Sequence, residues 1–500
     1  MRLKRFFAGI LAAFLFVLPI TAQAQADKEG AAQAIIDACT YGTEANLAEY
    51  QLSTHAAEDL FHTLYNEGRL PWYAEQGYSS RYNMDTNMIL SLEPQLMDPA
   101  QYDRTLYEQR VAEALAACAL PGMSQVQLAL SVHDWLIANS AYDQTLEKNT
   151  GYDLLVNGTA VCAGYAAIYQ DLMLRLGIPC LMVTSEAMEH GWNLVQLDGQ
   201  WYHVDLTWDD PTPDSYGQVM HTYFLLTDAE ISAGDNPHYS WDVTIPCTDT
   251  RFSDAFWKNT LGQICYADSS TAYLIRHKDW NNYIYARDEA TGSEKLLYTE
   301  KQNYVNLGEG RYCYYHGSLS LWNGRLYYNR QDKLVSMDLN GKDVRTEYTH
   351  DTGSNHSYIY ACYITKDTAY ISFADHGDNR STATVSLTAS GYHVHNYTLS
   401  VTDPTCTTPG YTTSTCDCGL TAQSLPTAAL GHNYEETEGK EANIFSDGWS
   451  TQTCLNCGDT FTEEYPQLDF GEWFKENRST LLLLVLMVFA FSKLLKKKKK

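Results

Sequence analysis

Apolar residues recur at helical spacing through the first quarter of the chain. Stretches 31–50, 56–66, 105–117 and 126–139 mix Ala, Leu and charged residues, with Leu120-Pro121-Gly122 as a break and Ser124 as a helix start. Tyr165, Ile168, Tyr169, Leu172 and Leu176 then stand at i, i+3, i+4, i+7 and i+11, one face of a helix. That helix begins near Cys162 and stops at Gly177, just past Arg175. Next, Trp192–Leu197 and Gln200–Trp208 flank Asp198-Gly199, a preferred two-residue hairpin turn. With Leu197 paired to Gln200, Asp205 falls opposite Trp192 and Thr207 opposite His190. His190 and Asp205 therefore share a face as diagonal neighbours, and Tyr202, Val204, Leu206 and Trp208 form the core face.

From Cys265 to Leu387 the pattern shifts to short Tyr-rich strands, STAYLIR, GRLYYNR and DTAYISF, whose Tyr273, Tyr327 and Tyr370 mark a period of 43 to 54 residues. Three units are too few for a closed propeller of typically about 4–8 blades, so a β-sandwich or open β-array is expected. Exposed aromatics there suit sugar or ligand binding, with a packed spacer as the alternative. His395 to Cys457 repeats itself at an offset of 37 to 39 residues: HNY at His395 and His432, then Cys416-Asp417-Cys418-Gly419 and Cys454-Leu455-Asn456-Cys457-Gly458. These resemble the small Cys-containing repeats of clostridial-type surface proteins. Cys416, Cys418, Cys454 and Cys457 are candidate ligands of a structural zinc, with disulfides as the alternative. His395, Cys406, Cys416 and Cys418 make one four-ligand set, and the second copy, lacking a Cys406 equivalent, retains His432, Cys454 and Cys457.

The two ends read as membrane signals. Arg2, Lys4 and Arg5 precede an apolar run from Phe6 to Ile20 and the small-residue site Ala22-Gln23-Ala24, so 1–24 reads as a signal peptide. Leu481–Phe491 is apolar and leads through Lys493 to five lysines, so 480–495 is expected as a short membrane anchor and 496–500 as a cytoplasmic tail. No LPxTG-type motif precedes it. The expectation is an exported protein anchored in the cell membrane with its main part extracellular. Between these ends the reading gives a helical region at 27–144, a catalytic domain at 145–255, a β-rich domain at 265–390, the two repeats at 393–462 and an acidic linker at 464–479. Net charge is −27, with 34 basic against 61 acidic residues, which argues against nucleic acid or anionic lipid as partner. Tyr is abundant, 37 against 15 Phe, as suits exposed β-structure. Of 13 Cys, setting Cys162 aside leaves an even number, compatible with extracellular disulfides such as Cys39–Cys118.

The chemistry concentrates between Gly158 and Pro211. A Cys at a helix N-terminus meets unpaired N–H groups and the positive dipole end, which favour thiolate. An imidazole to pair with it and a carboxylate to orient the imidazole complete a nucleophilic triad of Cys162, His190 and Asp205. Two alternatives stand beside it: a Cys162–Cys180 bridge, and His203 in place of His190, since His203 also shares a face with Asp205. His221 and His238 read as structural.

TAVCAGYA, HGWN and WYHVDLTWDDP resemble the three motifs of the transglutaminase-like superfamily, with HDWLIANSAYD upstream and HTYFLLTD downstream extending the likeness to roughly a third of the chain. The resemblance implies an α+β, papain-like core with a helical N-terminal layer. It also implies Cys162 as nucleophile, His190 as general base and Asp205 as its partner, with no cofactor needed for catalysis. Peptide, protein or cell-wall peptide substrates are implied, with hydrolysis favoured over cross-linking. The rival is a surface-binding or adhesion protein carrying a non-catalytic copy of this scaffold.

Overall fold

The computed structural model describes residues 28–466, apart from 213–216, 235, 302–303, 309–310, 315–316, 352–356, 366, 376–379, 388–396 and short stretches between 403 and 445. The expected signal segment, anchor and lysine tail lie outside the described residues. Among the described residues, no helix is long and apolar enough to cross a membrane.

The N-terminal segment is mixed rather than wholly helical. Helix α1 (28–41), strand β1 (Ala45–Asn46) and helix α2 (Thr54–Asn66) are followed by a hairpin of β2 (Ala74–Asn83) and β3 (Met88–Leu96). This corrects the all-helical expectation for 27–144. Strand β2 buries only Ala74 and exposes most of its side chains, so it carries no alternating apolar signal. Ile35, Leu47, Phe61, Leu64 and Leu92 close a small core of their own.

Helices α3 (Arg104–Cys118) and α4 (Gln125–Ala138) come next, α4 starting where expected, on a capping box between Ser124 and Gln127. Strand β4 (Ala141–Tyr142), helix α5 (Gly151–Asn157) and strand β5 (Thr159–Ala160) lead into α6 (Cys162–Arg175). The parallel β4–β5 pair sets Tyr142 against Ala160, immediately before that helix. Tyr165, Ile168, Tyr169, Leu172 and Leu176 of the α6 face are all buried. Burying each such side chain contributes about 1.5–3 kcal/mol, so the apolar stripe fixes the helix and with it Cys162. The helix ends in a Schellman turn: the Gly177 N–H bonds the Leu174 carbonyl and the Ile178 N–H that of Met173.

Behind α6 lies an antiparallel sheet ordered β6-β7-β8-β9, made of β6 (Cys180–Ser185), β7 (His190–Leu197), β8 (Gln200–Val204) and β9 (Phe224–Leu226). The hairpin register is the expected one, Leu197 opposite Gln200 through to Asn193 opposite Val204, and Asp198 and Gly199 both adopt positive φ. Strand β8 ends sooner than expected. Asp205 caps a short helix, α7 (Leu206–Asp209), because its own carboxylate accepts from the N–H groups of Thr207 and Trp208. Helix α8 (Asp228–Ile231) completes the region.

The Tyr-rich segment forms successive antiparallel sheets: β10 (Cys265–Asp268) to β13 (Glu294–Glu300) by way of β11 (Thr271–Lys278) and β12 (Asn281–Asp288), then a pair, β14 (Tyr304–Gly308) and β15 (Arg311–Tyr314). A second set of four follows, β16 (Leu319–Trp322), β17 (Arg325–Asn329), β18 (Lys333–Asp338) and β19 (Arg345–Thr349), and a set of three, β20 (Tyr358–Thr365), β21 (Thr368–Ala374) and β22 (Arg380–Ser386). Tyr273, Tyr327 and Tyr370 all stand on the second strand of their sheet, which accounts for the period. Tyr273 and Tyr327 are buried, so these two are packing residues rather than a binding surface. Ile264, Tyr266, Ala272, Leu274 and Tyr363 belong to the same apolar core as α3, α4 and α6. Asn139 to the Tyr363 hydroxyl (2.7 Å) and Gln127 to the Ser269 carbonyl (2.9 Å) tie the two regions further.

Strands β23 (Tyr397–Thr402), β24 (Tyr411–Cys416) and β25 (Thr421–Gln423) form one small sheet, and β26 (Tyr434–Lys440), β27 (Gly448–Cys454) and β28 (Thr460–Tyr465) another. Residues 401–411 and those from 426 onward make a separate compact unit. The ten cysteines whose side chains are described, Cys39, Cys118, Cys162 and Cys180 among them, are unbridged. Cys39 and Cys118 sit in different cores, which removes the bridge expected between them.

Candidate active site

Cys162 is the first residue of α6, and no side chain caps that helix end. Its leading N–H groups are therefore available to an anion lying over them. The thiol meets the His190 imidazole and the Gly191 N–H. Burial pushes the thiol up, and Asp205's charge adds to that push. The hydrogen bond and charge of His190, with the Gly191 N–H, outweigh both, so Cys162 ionises below its ordinary value. Cys180, on β6, is instead fully buried, and burial drives its thiol far upward. The Cys162–Cys180 alternative thus gives way to a Cys162–His190 pair.

His190 opens β7 and is nearly enclosed, with 7% of its side chain exposed. Its Nε2 lies 2.7 Å from Oδ2 of Asp205, which leaves Nδ1 as the nitrogen for the thiol. Burial alone would lower the imidazole. The charge and hydrogen bond of Asp205, then the Cys162 sulfur, raise it to about 10. Trp192 and Trp208 stack against the ring, with centroids at 5.7 and 5.2 Å. Trp208, expected in the core, is a wall of the site instead, because the turn into α7 takes it out of the strand's alternation.

Asp205 is completely buried, and four donors occupy its carboxylate. Oδ1 accepts from Thr207 (3.0 Å) and Trp208 (3.3 Å), and Oδ2 from His190 and from Nε2 of His238 (2.9 Å). Burial disfavours the anion, but the His190 charge and the hydrogen bonds of both imidazoles hold it at about 2. His203 is not a rival imidazole: Trp192 Nε1 donates to its Nδ1 and its Nε2 faces Asp228.

His238 is the residue that the sequence reading set aside as structural. It is fully buried, packs on Trp208, Trp192 and Tyr223, and its Nδ1 has no hydrogen-bond partner among the described residues. It comes from a loop 33 residues beyond Asp205, with no periodic relation to the motifs, so nothing in the spacing could have found it. His190, Asp205 and His238 are also a candidate ligand trio. Oδ2 of Asp205 is nonetheless at hydrogen-bond distance from both Nε2 atoms, so the three are occupied with one another.

A second buried network braces the first from below. His133 of α4 bonds Asp134 through Nδ1 (2.9 Å) and Asp209 at the end of α7 through Nε2 (3.3 Å). Asp134 also takes His221 Nε2 (2.9 Å) and the Ile264 N–H (2.7 Å). The helix that carries Asp205 at its start is thereby pinned at its end to α4. His221 is buried, with its two ring nitrogens on the Thr260 carbonyl and Asp134.

Residues 113–206 match the core domain of the transglutaminase-like superfamily. This segment is a transglutaminase-like superfamily domain. The match covers Cys162, His190 and Asp205 and stops short of His238. Over 119 residues the chain is 25% identical to kyphoscoliosis peptidase of Mus musculus, and 24% to that of Homo sapiens, in each case 20% of this chain and 18% of the relative. The chain thus spans about a fifth of the length of these curated relatives. Among solved structures, a TGase aligns at 12% identity over 31% of this chain and 48% of that one, with a TM-score of 0.19. TolB from Acinetobacter baumannii aligns at 13% over 61% and 69%, with a TM-score of 0.18. The transglutaminase-like domain is continued by the β-sheets and the small C-terminal unit described above.

His238 Nε2 is one of the four donors that hold Asp205. In His238→Phe, which keeps a ring but removes a donor, turnover and Cys162 labelling are expected to fall by about tenfold, on the scale of one hydrogen bond to a charged group. Without that donor Asp205 holds His190 less firmly and the imidazolium stabilises the thiolate less, so the acid limb of the labelling profile, which Cys162 sets, moves to higher pH. His238→Gln, which restores a donor, brings the limb back, whereas a purely structural role would lower thermal stability without moving it.

Proposed function

We propose that this protein is an exported, membrane-tethered cysteine enzyme that acts on amide bonds of peptide or protein substrates through Cys162, His190 and Asp205, with hydrolysis as its main outcome. The observation that carries the reading is a Cys162 thiol at the start of α6 that meets His190, whose imidazole is itself fixed by a carboxylate with four donors. The Cys162 thiolate attacks the amide carbonyl carbon, and the carbonyl π-electrons move onto oxygen. The uncapped N–H groups at the α6 start face the resulting oxyanion. Imidazolium His190 gives its proton to the leaving nitrogen as the C–N bond breaks, leaving a thioester. Neutral His190 then takes a proton from water, hydroxide adds to the thioester, and collapse releases the acid and the thiolate. An amine in place of water would give an amide product instead. Asp205 keeps its charge throughout and stabilises the imidazolium.

The decisive measurement is iodoacetamide labelling of Cys162 across pH, read by peptide mass spectrometry. Labelling is expected to persist to lower pH than that of an ordinary thiol, and to slow by at least about tenfold in His190→Ala. A peptide library and a dansylated amine, offered together, then separate cleavage from amine incorporation. Ordinary thiol behaviour at Cys162 would sink the enzyme reading in favour of a non-catalytic scaffold.

A further inference from the structure

Independently of that chemistry, four side chains meet inside the C-terminal unit. The Cys406 and Cys454 sulfurs are 3.6 Å apart, and the Cys457 sulfur is 3.4 Å from Nδ1 of His432. All four donor atoms lie within 4.8 Å of one another. We infer that Cys406, His432, Cys454 and Cys457 form a tetrahedral structural zinc site.

The spacing decides between zinc and disulfide. Zinc holds thiolate sulfur at about 2.3 Å and imidazole nitrogen at about 2.0–2.1 Å, so tetrahedral edges are about 3.8 Å between sulfurs and about 3.5 Å from sulfur to nitrogen. The two observed contacts fall at those values. A bridge needs sulfurs at about 2.05 Å and consumes two ligands, with no role for a third thiol and an imidazole converging on the same point. Three thiolates and one imidazole are also the donor set that suits zinc, with no position left open for a substrate.

Local backbone structure builds the site. Between Cys454 and Asp459 the chain makes a tight loop: the Gly458 N–H bonds the Cys454 carbonyl (2.8 Å), and the Cys454 N–H bonds the Asp459 carbonyl (2.7 Å). Gly458 takes φ 74°, which a side chain would disfavour. That loop turns the N–H groups of Asn456 and Cys457 onto the Cys454 sulfur. Cys406 projects from a turn in which the Thr408 N–H bonds the Thr405 hydroxyl (3.0 Å). His432 stacks on Tyr434 at 5.1 Å, and the Tyr434 hydroxyl donates to Asp459 (2.6 Å), which orients the ring.

The unit also needs such a centre. Among its described residues, the buried apolar side chains are the two thiols of Cys406 and Cys454. Strand β28 is exposed along its whole length. A three-stranded sheet with so little core requires a staple, and a metal supplies one. Ligand sharing across the repeat answers the sequence puzzle as well. Cys406, assigned by sequence to the first copy with His395, Cys416 and Cys418, joins the second copy and completes it. Cys418, His395 and the Cys416 side chain lie outside the described residues, so of the four cysteines expected as ligands the site takes Cys454 and Cys457.

The test uses the full chain, purified in detergent without chelator and with thiols kept reduced, and counts zinc per chain by elemental mass spectrometry. Cys454→Ser and His432→Ala are each expected to lose about one equivalent relative to wild type, while Cys162→Ala keeps it. Titrating the wild type with a mercurial should release that equivalent as three thiols react, and cobalt in its place should give the visible bands of a tetrahedral thiolate centre. These wild-type readouts decide the matter even where a variant fails to fold. Unchanged zinc in the variants, or a Cys406–Cys454 or Cys454–Cys457 disulfide in peptide maps of the exported chain, overturns the inference.

Discussion

Asp205→Asn is expected to lower turnover by about 10³–10⁴-fold while leaving the protein folded, the scale on which removing the orienting carboxylate disables a nucleophile–imidazole pair. The reason lies in the signs of three shifts. Asp205, held at about 2, is what lifts His190 to about 10 against burial. Remove that charge, and burial, which disfavours imidazolium, acts unopposed, so His190 falls to or below the ordinary histidine range. A neutral imidazole no longer stabilises the thiolate, and Cys162, still partly buried, rises. The wild-type labelling profile should therefore be a plateau from the lowered Cys162 value up to about pH 10, where His190 loses its proton. In Asp205→Asn it should become a single thiol ionisation in the alkaline range. A plateau that survives the substitution would show that His238 or the helix end, not Asp205, sets the ion pair.

The largest effect on stability is expected at Asp134, which touches no part of the proposed reaction. Its carboxylate accepts from His133, His221 and the Ile264 N–H, all buried. Asp134→Ala leaves two imidazoles and a backbone donor without their acceptor, and breaking a buried charge network in this way costs about 3–5 kcal/mol. Urea unfolding should show that loss in the midpoint, with Asp134→Asn, which keeps an acceptor, losing less. The network also predicts an alkaline weakness. Burial opposes charge on His133, but its hydrogen bonds to Asp134 and Asp209 raise it to about 9. Its folded value exceeds the unfolded one of about 6.5, so its contribution is complete below that pH and is lost as pH rises through about 9. Stability measured from pH 7 to 10 should decline in the wild type and decline less in Asp134→Ala. Because α7 runs from Asp205 to an Asp209 clamped by His133, slackening here should also slow Cys162 labelling, through position rather than chemistry.

Local rules written into the sequence determined a good deal. The apolar stripe from Tyr165 to Leu176 set α6 and placed Cys162 at its start. Ser124 with Gln127 started α4, and Asp198-Gly199 fixed a hairpin register that the structure keeps to Val204. In each case neighbours in sequence are neighbours in space, so period, cap and turn chemistry suffice. The N-terminal hairpin escaped notice because β2 is almost wholly exposed and has no apolar alternation to read. Where strand gives way to helix at Asp205, the capping of Thr207 and Trp208 won over the continued alternation, which moved Trp208 from the core to the wall of the site. His238 against Asp205, His221 against Asp134, and Cys406 beside Cys454 were decided by tertiary structure alone. Those contacts join residues from about 33 to about 87 positions apart. Buried polar groups take whichever partner the packed chain delivers, and no periodicity along the sequence encodes that delivery.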